Sequence, residues 1–283
     1  MKALTDFVGK LQYDSKQRPR GFCFFFFMKI IAYNSLASTN SRALELAAEE
    51  RAEETVVWAR CQTAGRGQHG RVFSSPPGGL YFSLILRPKL KAEHLSLVTL
   101  AAGVACSLAL KQQCGLTSGL KWPNDLYCRH RKLGGILTET LPVGGNHLTT
   151  VIIGVGLNIN SLPGDFPPEV RELVTSIQEL TGRNHDLEQL LYIVVREIID
   201  HVRILVLDQK KLLALWRQRD YFKGQPLRWE TEQQSVVGIG CGLLADGRYA
   251  LKDNRGKIHA ILGGSIQPIV TVQPDTVSPA LPA

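Results

Sequence analysis

Apolar residues recur along this chain with two periods, and the switches between them lay out its elements. Met28 to Tyr33 reads as a first strand, Thr55 to Arg60 is β-branched and strand-like, and Leu80 to Leu86 is almost continuously apolar, as a buried strand is. Leu120 to Tyr127 and Gly135 to Thr140 read as strands joined by the basic stretch Arg129 to Lys132, and Val151 to Leu157 as another buried strand. Elsewhere the period lengthens. Ser38-Thr39 offers an N-cap to an alanine- and glutamate-rich helix running to Arg51, because a side-chain oxygen there accepts an amide that the first turn leaves open. Leu97, Leu100, Val104 and Leu108 share one face of a helix ending near Gly115. Asp186 caps a long helix whose Leu187, Leu190, Val194, Ile198, Val202 and Leu205 form an apolar stripe, most simply core packing.

After Gly224 the texture changes. Short strand-like pieces (Leu227 to Thr231, Val236 to Ile239, Tyr249 to Lys252, Ile258 to Leu262) alternate with Gly- and Asp-rich turns, as in a small β-barrel. The expected fold is α+β: a mixed β-sheet flanked by helices over 28–222, then a small barrel over 223–271. The proline-containing stretch 272–283 reads as a disordered tail. Residues 1–27 read as a poorly ordered extension, with Met28 as the start. The run FCFFFF at 22–27 behind positive residues imitates a signal peptide, but it is short, Lys29 interrupts it, and no small-x-small site follows.

Composition narrows the partners rather than the fold. With 44% hydrophobic and 20% charged residues the chain has material for a sizeable core. A net charge of +8 favours an anionic partner, such as a nucleotide, nucleic acid or an acidic protein, or else only aids solubility. Six scattered cysteines without a C-x-x-C pair suit a reducing compartment, the cytoplasm, better than a disulfide framework. The dispersed histidines form no ligand pair, and no metal site is expected from side chains alone.

The string GRGQHGRV at 65–72 fits two phosphate-binding patterns, and its context rejects both. A dinucleotide fingerprint needs its last glycine to open a helix, yet Val72-Phe73-Ser74-Ser75-Pro76-Pro77 follows. A kinase loop needs H-R-D and D-F-G, which the chain lacks, and it has no Walker A loop either. What remains is a glycine-rich loop whose Arg66, Arg71 and backbone amides can wrap an anion, unless the arginines merely face solvent.

Three other segments strengthen the first reading: Ser38-Thr39-Asn40 at a helix start, LKWPNDLY at 120–127 followed by RKLGGIL with Lys132, and GVGLNIN at 154–160. Together with QTAGRGQHGR and SSPPGGLYFS they resemble, in order from about residue 29 to 270, the biotin–protein ligase family. The resemblance implies a class II synthetase-like catalytic domain with an SH3-like C-terminal barrel, of the type without an N-terminal DNA-binding domain. It implies two steps: biotin and MgATP give biotinyl-5′-AMP, and a lysine of the biotin carboxyl carrier domain of acetyl-CoA carboxylase then takes the biotinyl group. Biotin, ATP, Mg²⁺ and that carrier domain are thus the expected ligands, with no nucleic acid or membrane partner, and either a monomer or a homodimer.

The same resemblance distributes the residues. Lys132, Arg66, Arg71 and Lys121 are the expected catalytic cations, offsetting charge where a carboxylate meets a phosphate; for Lys121 a plain ion pair is the alternative. Ser38, Thr39, Asn40, Gln62, Gly65, Arg66, Gly67, Gln68, Lys132 and Gly135 are expected around biotin, whose ureido ring needs donors and acceptors. Arg66, Arg71, Trp122, Asn124, Asp125, Lys132, Gly156 and Asn158 are expected around the adenylate. Asp125 either holds Mg²⁺ or a lysine, or caps the turn after Pro123-Asn124. Ser38 caps its helix, binds ligand, or both. Relatives often carry further arginines where this chain has Gln68 and His69, and charged residues where it has Ser265 and Ile269. A lipoate–protein ligase shares the fold superfamily and is the rival within enzymes; a basic nucleic-acid-binding protein is the rival outside them.

Overall fold

The structure, a computed structural model, describes residues 28–48, 54–142 and 149–269. The expected extension, the last residues of the first helix and the tail lie outside the described residues. The chain divides into two compact units, one running to Tyr221 and taking in Ala245–Gly247, the other comprising Phe222–Leu244 and the residues from Arg248.

In the first unit the strands are β1 (Lys29–Tyr33), β2 (Thr55–Ala59), β3 (Leu80–Leu86), β4 (Gly119–Lys121), β5 (Asp125–Cys128), β6 (Arg131–Pro142) and β7 (Thr149–Leu157). They form a seven-stranded sheet in the order β1-β2-β3-β7-β6-β5-β4. Only β1 and β2 run parallel, with helix α1 (Thr39–Ala48) as their crossover; the other neighbours are antiparallel, so the sheet is mixed. Every residue of β3, and every residue of β7 after Thr149, is buried, because both faces are covered.

Helix α1 packs Ala43, Leu46 and Ala47 on Val57, Ile85 and Ile152, which defines one face of the sheet. Helix α2 (Leu97–Cys114) lies against the other, where Gly103 approaches Leu120 and Ile136. By length and composition the stretch Ala92–Cys114 could cross a membrane, but 72% of its apolar window is buried within the fold, as befits a core helix. Short helices α3 (Pro168–Arg171) and α4 (Ile177–Thr181) lead to α5 (Leu187–Leu207) and α6 (Gln209–Arg217). Asp186 caps α5 by accepting the amides of Glu188 and Gln189, and the stripe from Leu190 to Leu205 is buried.

Two expectations change. Leu120–Tyr127 is not one strand: it turns at Trp122–Asn124, with a cis Trp122–Pro123 peptide, so that Lys121 pairs with Asp125 across a hairpin. Proline has no N–H to continue a ladder. The basic stretch is also not a long connection. Only Arg129 and His130 turn, both at positive φ (47° and 64°), and Lys132 already lies on β6. Tyr221 anchors that turn, its hydroxyl 2.8 Å from His130 Nδ1 and accepting the His130 amide at 3.0 Å.

The second unit is a five-stranded antiparallel sheet: β8 (Pro226–Glu230), β9 (Ser235–Leu243), β10 (Tyr249–Asp253), β11 (Ile258–Ile261) and β12 (Ser265–Pro268), in the order β11-β10-β9-β8-β12, as in a small SH3-like barrel. Strand β12 has no apolar signature of its own and went unanticipated; it is defined by pairing Ile266 with Trp229 on β8.

Candidate active site

Register places the chemistry in one row. Lys121 pairs with Asp125, Asp125 with Gly135, and Gly135 with Gly156, so these residues lie side by side across β4, β5, β6 and β7 on one face. Two positions along, Leu137, Gly154 and Ser83 form the next row on that face. Helix α1 begins over Ser83, which makes this the face that α1 covers. Lys132 joins the row through a β-bulge. Tyr127 pairs with Lys132 and Leu126 with Gly134, so Leu133 is the extra residue and turns into the core, leaving Lys132 on the side of Gly135.

The glycines leave the centre of this face without side chains of its own. A Cβ at Gly154 would sit 1.9 Å from Asn40 Oδ1, and one at Gly156 would sit 2.5 Å from the Phe73 ring. At Gly135 it would lie 3.1 Å from Asp125 Oδ1 and 3.4 Å from Lys132 Nζ. The floor is therefore a glycine strip that other elements fill.

Positive charge gathers at the end nearest β4. Lys132 Nζ is 2.7 Å from Asp125 Oδ1 and 5.7 Å from the centroid of the Phe73 ring. Burial pushes the Lys121 pKa below its usual value; Asp125 opposes that shift, while Lys132 and Arg71 add to it. The Lys121 ammonium lies 3.4 Å from the Tyr127 hydroxyl and 5.1 Å from its ring centroid. Lys132 thus pairs with Asp125, while Lys121 and Arg71 add two further positive charges at this end.

The other end of the face is neutral and polar. Ser38, Thr39 and Asn40 are buried at the start of α1, where Ser38 Oγ accepts the Ser41 amide at 3.4 Å, a capping contact. Gln62 Oε1 accepts the Thr39 amide at 2.8 Å, and Gln62 Nε2 donates to Ser75 Oγ at 2.8 Å. Ser83 Oγ lies 2.8 Å from Thr39 Oγ1 and 2.6 Å from Asn40 Oδ1. Asn40 Nδ2 donates to Leu137 O at 3.2 Å and to Glu139 Oε2 at 2.9 Å. Asn40 therefore spends its whole amide inside the protein and braces α1 against β6.

The glycine-rich segment is a hairpin. Its base is the Gln62–Ser75 bridge, its arm pairs Gly65 with Phe73 and Arg66 with Val72, and its tip is a single turn at Gln68–Gly70. Gly65 is buried because Phe73 O and Ser75 Oγ occupy the space of a Cβ, whereas Gly67 receives only the carbonyl of Arg71. The two arginines part company: Arg71 acts electrostatically on Lys121, while Arg66 Nη2 is bound to Glu139 Oε1 at 2.8 Å.

Of the remaining expected residues, Trp122 is core on one side, its Nε1 donating to Gly247 O at 3.0 Å. Asn124 holds the hairpin by donating to Ile136 O at 2.9 Å. Asn158 is buried and donates to Thr175 O at 3.0 Å, so its amide also serves the fold. Among the described residues no three His, Cys, Asp or Glu side chains gather as a metal site. Sequence reasoning missed Glu139 and Phe73. A charged residue in step with Gly135 and Leu137 along a strand was the available signal for Glu139; for Phe73 there was none.

The family model described as Biotin/lipoate A/B protein ligase family matches residues 33–158. The chain is 36% identical over 225 residues to the biotin–[acetyl-CoA-carboxylase] ligase of Paracoccus denitrificans, covering 78% of this chain and 92% of that one. It is 32% identical over 232 residues to the bifunctional ligase/repressor BirA of Bacillus subtilis, covering 80% of this chain and 70% of the relative. Among solved structures, the biotin protein ligase of Aquifex aeolicus in complex with biotin and ATP superimposes with a TM-score of 0.75 at 29% identity, covering 85% and 99%.

Proposed function

This chain belongs to the biotin–protein ligase family, and from that premise we propose that it activates biotin with ATP to biotinyl-5′-AMP and passes the biotinyl group to a lysine of a biotin carboxyl carrier domain. The observation that carries the reading is the row Lys121–Asp125–Gly135–Gly156 with Lys132 and Arg71: excess cations beside a glycine floor, adjoining a neutral polar cleft. The charged end suits a phosphate meeting a carboxylate; the neutral end suits a ureido ring.

In the first step a biotin carboxylate oxygen attacks the α-phosphorus and pyrophosphate leaves. Two anions must approach, so fixed cations that meet the charge in the transition state lower the barrier. Lys132 bridges the carboxylate and the phosphate, Lys121 and Arg71 take phosphate oxygens, and Gly135 and Gly156 let the nucleotide lie against backbone. Gln62, Thr39 and Ser38 face the ureido ring, with Gly65, Gly67 and Gln68 beside it on the hairpin. Trp122, Asn124 and Asn158 keep the walls in place. A Mg²⁺ carried by the nucleotide would offset phosphate charge at this end of the site. Asp125 Oδ1, buried without a hydrogen-bond partner besides its ion pair, fits one contact to it, and a site of few protein carboxylates suits an ion carried mainly by phosphates.

In the second step the carrier lysine's amine attacks the acyl carbon and AMP departs. The carrier domain of acetyl-CoA carboxylase is the proposed acceptor, and the free thiols of Cys61, Cys106, Cys114, Cys128 and Cys241 are compatible with work in the cytoplasm. The test is ATP-dependent transfer of labelled biotin to a carrier-domain fragment with lipoate as competitor. Label on the carrier that lipoate does not suppress supports the reading; transfer of lipoate alone would overturn it.

A further inference from the structure

Glu139 lies on the site face of β6, two residues beyond Leu137, with its side chain 23% exposed. Its two oxygens serve different donors: Oε1 accepts Arg66 Nη2 at 2.8 Å and Oε2 accepts Asn40 Nδ2 at 2.9 Å. Each donor belongs to a different wall of the polar cleft. Asn40 is tied on its other side to Leu137 O and Ser83 Oγ, while Arg66 sits on the hairpin arm, bridged to Val72. The contacts therefore close on themselves. They run from the hairpin base at Ser75 through Gln62, Thr39, Ser83, Asn40 and Glu139 to Arg66 on the hairpin arm.

We propose that Glu139 is a positioning residue for biotin binding: it fastens the arm of the glycine-rich hairpin to the wall of the ureido cleft and so stabilises the arrangement that holds the ligand. The inference rests on the ligase reading above. Fixing the hairpin over a ligand costs it freedom, and contacts that favour the fixed arrangement offset that cost, so removing them subtracts from affinity. Only a carboxylate suits the position. Both neighbours are donors, and a glutamine has one accepting oxygen and would aim an N–H at the other donor.

The test is calorimetric titration of biotin into the whole chain, wild type and E139Q, E139A, R66A and E139A/R66A, with kcat and KM for biotin measured in parallel. E139A is expected to raise the biotin Kd about tenfold and E139Q about threefold, with kcat at saturating biotin within about twofold. The double variant should bind no more weakly than E139A, because the two residues act as a unit. A role confined to stability would lower the melting temperature without this split of KM from kcat. Wild-type affinity in folded E139Q, or multiplying effects in the double variant, overturns the proposal even if E139A does not fold. A wild-type chain that binds no biotin overturns the ligase reading and this inference with it.

Discussion

Replacing Lys132 by alanine removes the cation that stands 2.7 Å from Asp125 and beside the gap at Gly135. A unit charge about 4 Å from a developing anion is worth about 4 kcal/mol at an effective dielectric of about 20. Lys132 is 29% exposed, and Lys121 and Arg71 remain, so about half to three-quarters of that, roughly 2–3 kcal/mol, is the expected loss of transition-state stabilisation. That corresponds to about a hundredfold slower adenylation. The fold should survive, because a partly exposed ion pair contributes only about 0–1 kcal/mol, or a few degrees at most in melting temperature. The assay is single-turnover formation of biotinyl-5′-AMP from labelled ATP at saturating biotin. The pairing with Asp125 adds an internal control: K132A/D125N should recover the lost stability, having no stranded carboxylate, and recover little of the rate. A folded K132A that forms the adenylate at the wild-type rate refutes the electrostatic argument.

Three further outcomes follow from the geometry. Gly154→Ala puts a Cβ 1.9 Å from Asn40 Oδ1 and should cost about 1–3 kcal/mol of stability as well as biotin affinity, read by thermal melts with and without biotin. Gly67→Ala, whose Cβ meets only Arg71, with the carbonyl oxygen nearest at 3.2 Å, should be far milder in the same melts. Lys121 has its pKa lowered chiefly by burial, so below that folded-state pKa its desolvated charge costs stability, and the cost is lifted as pH rises through it toward the usual 10.5. Phosphate binding needs the charged form; KM for ATP should therefore climb as pH rises below 10.5, and the climb should vanish in Lys121→Arg.

Much of this was legible because it is local. The turn chemistry of Trp122-Pro123-Asn124, the glycines and arginines of 65–71, and the cap at Ser38 are short-range features that a string of letters displays. The buried runs of β3 and β7 announce themselves in the same way. What escaped depends on register. Lys132 reaches the face of Gly135 only because Leu133 bulges inward, and nothing in RKLGGIL states that a residue is skipped. Asn40 looks like a ligand contact in Ser38-Thr39-Asn40, yet its partners are 97 and 99 residues away, and pairing across strands decides that its amide is already used. Arg66 and Arg71 look equivalent in GRGQHGR; the hairpin sends one to Glu139 and the other toward Lys121. Strand β12 is visible only as the partner of β8.

The central claim is that the cationic row activates biotin on ATP. Biotin-dependent exchange of labelled pyrophosphate into ATP, with no carrier present and lipoate as the control acid, tests it most directly. The account predicts exchange that requires biotin, is not supported by lipoate, and falls about a hundredfold in Lys132→Ala. Exchange driven by lipoate, or no exchange by the intact chain with biotin and MgATP, would contradict it.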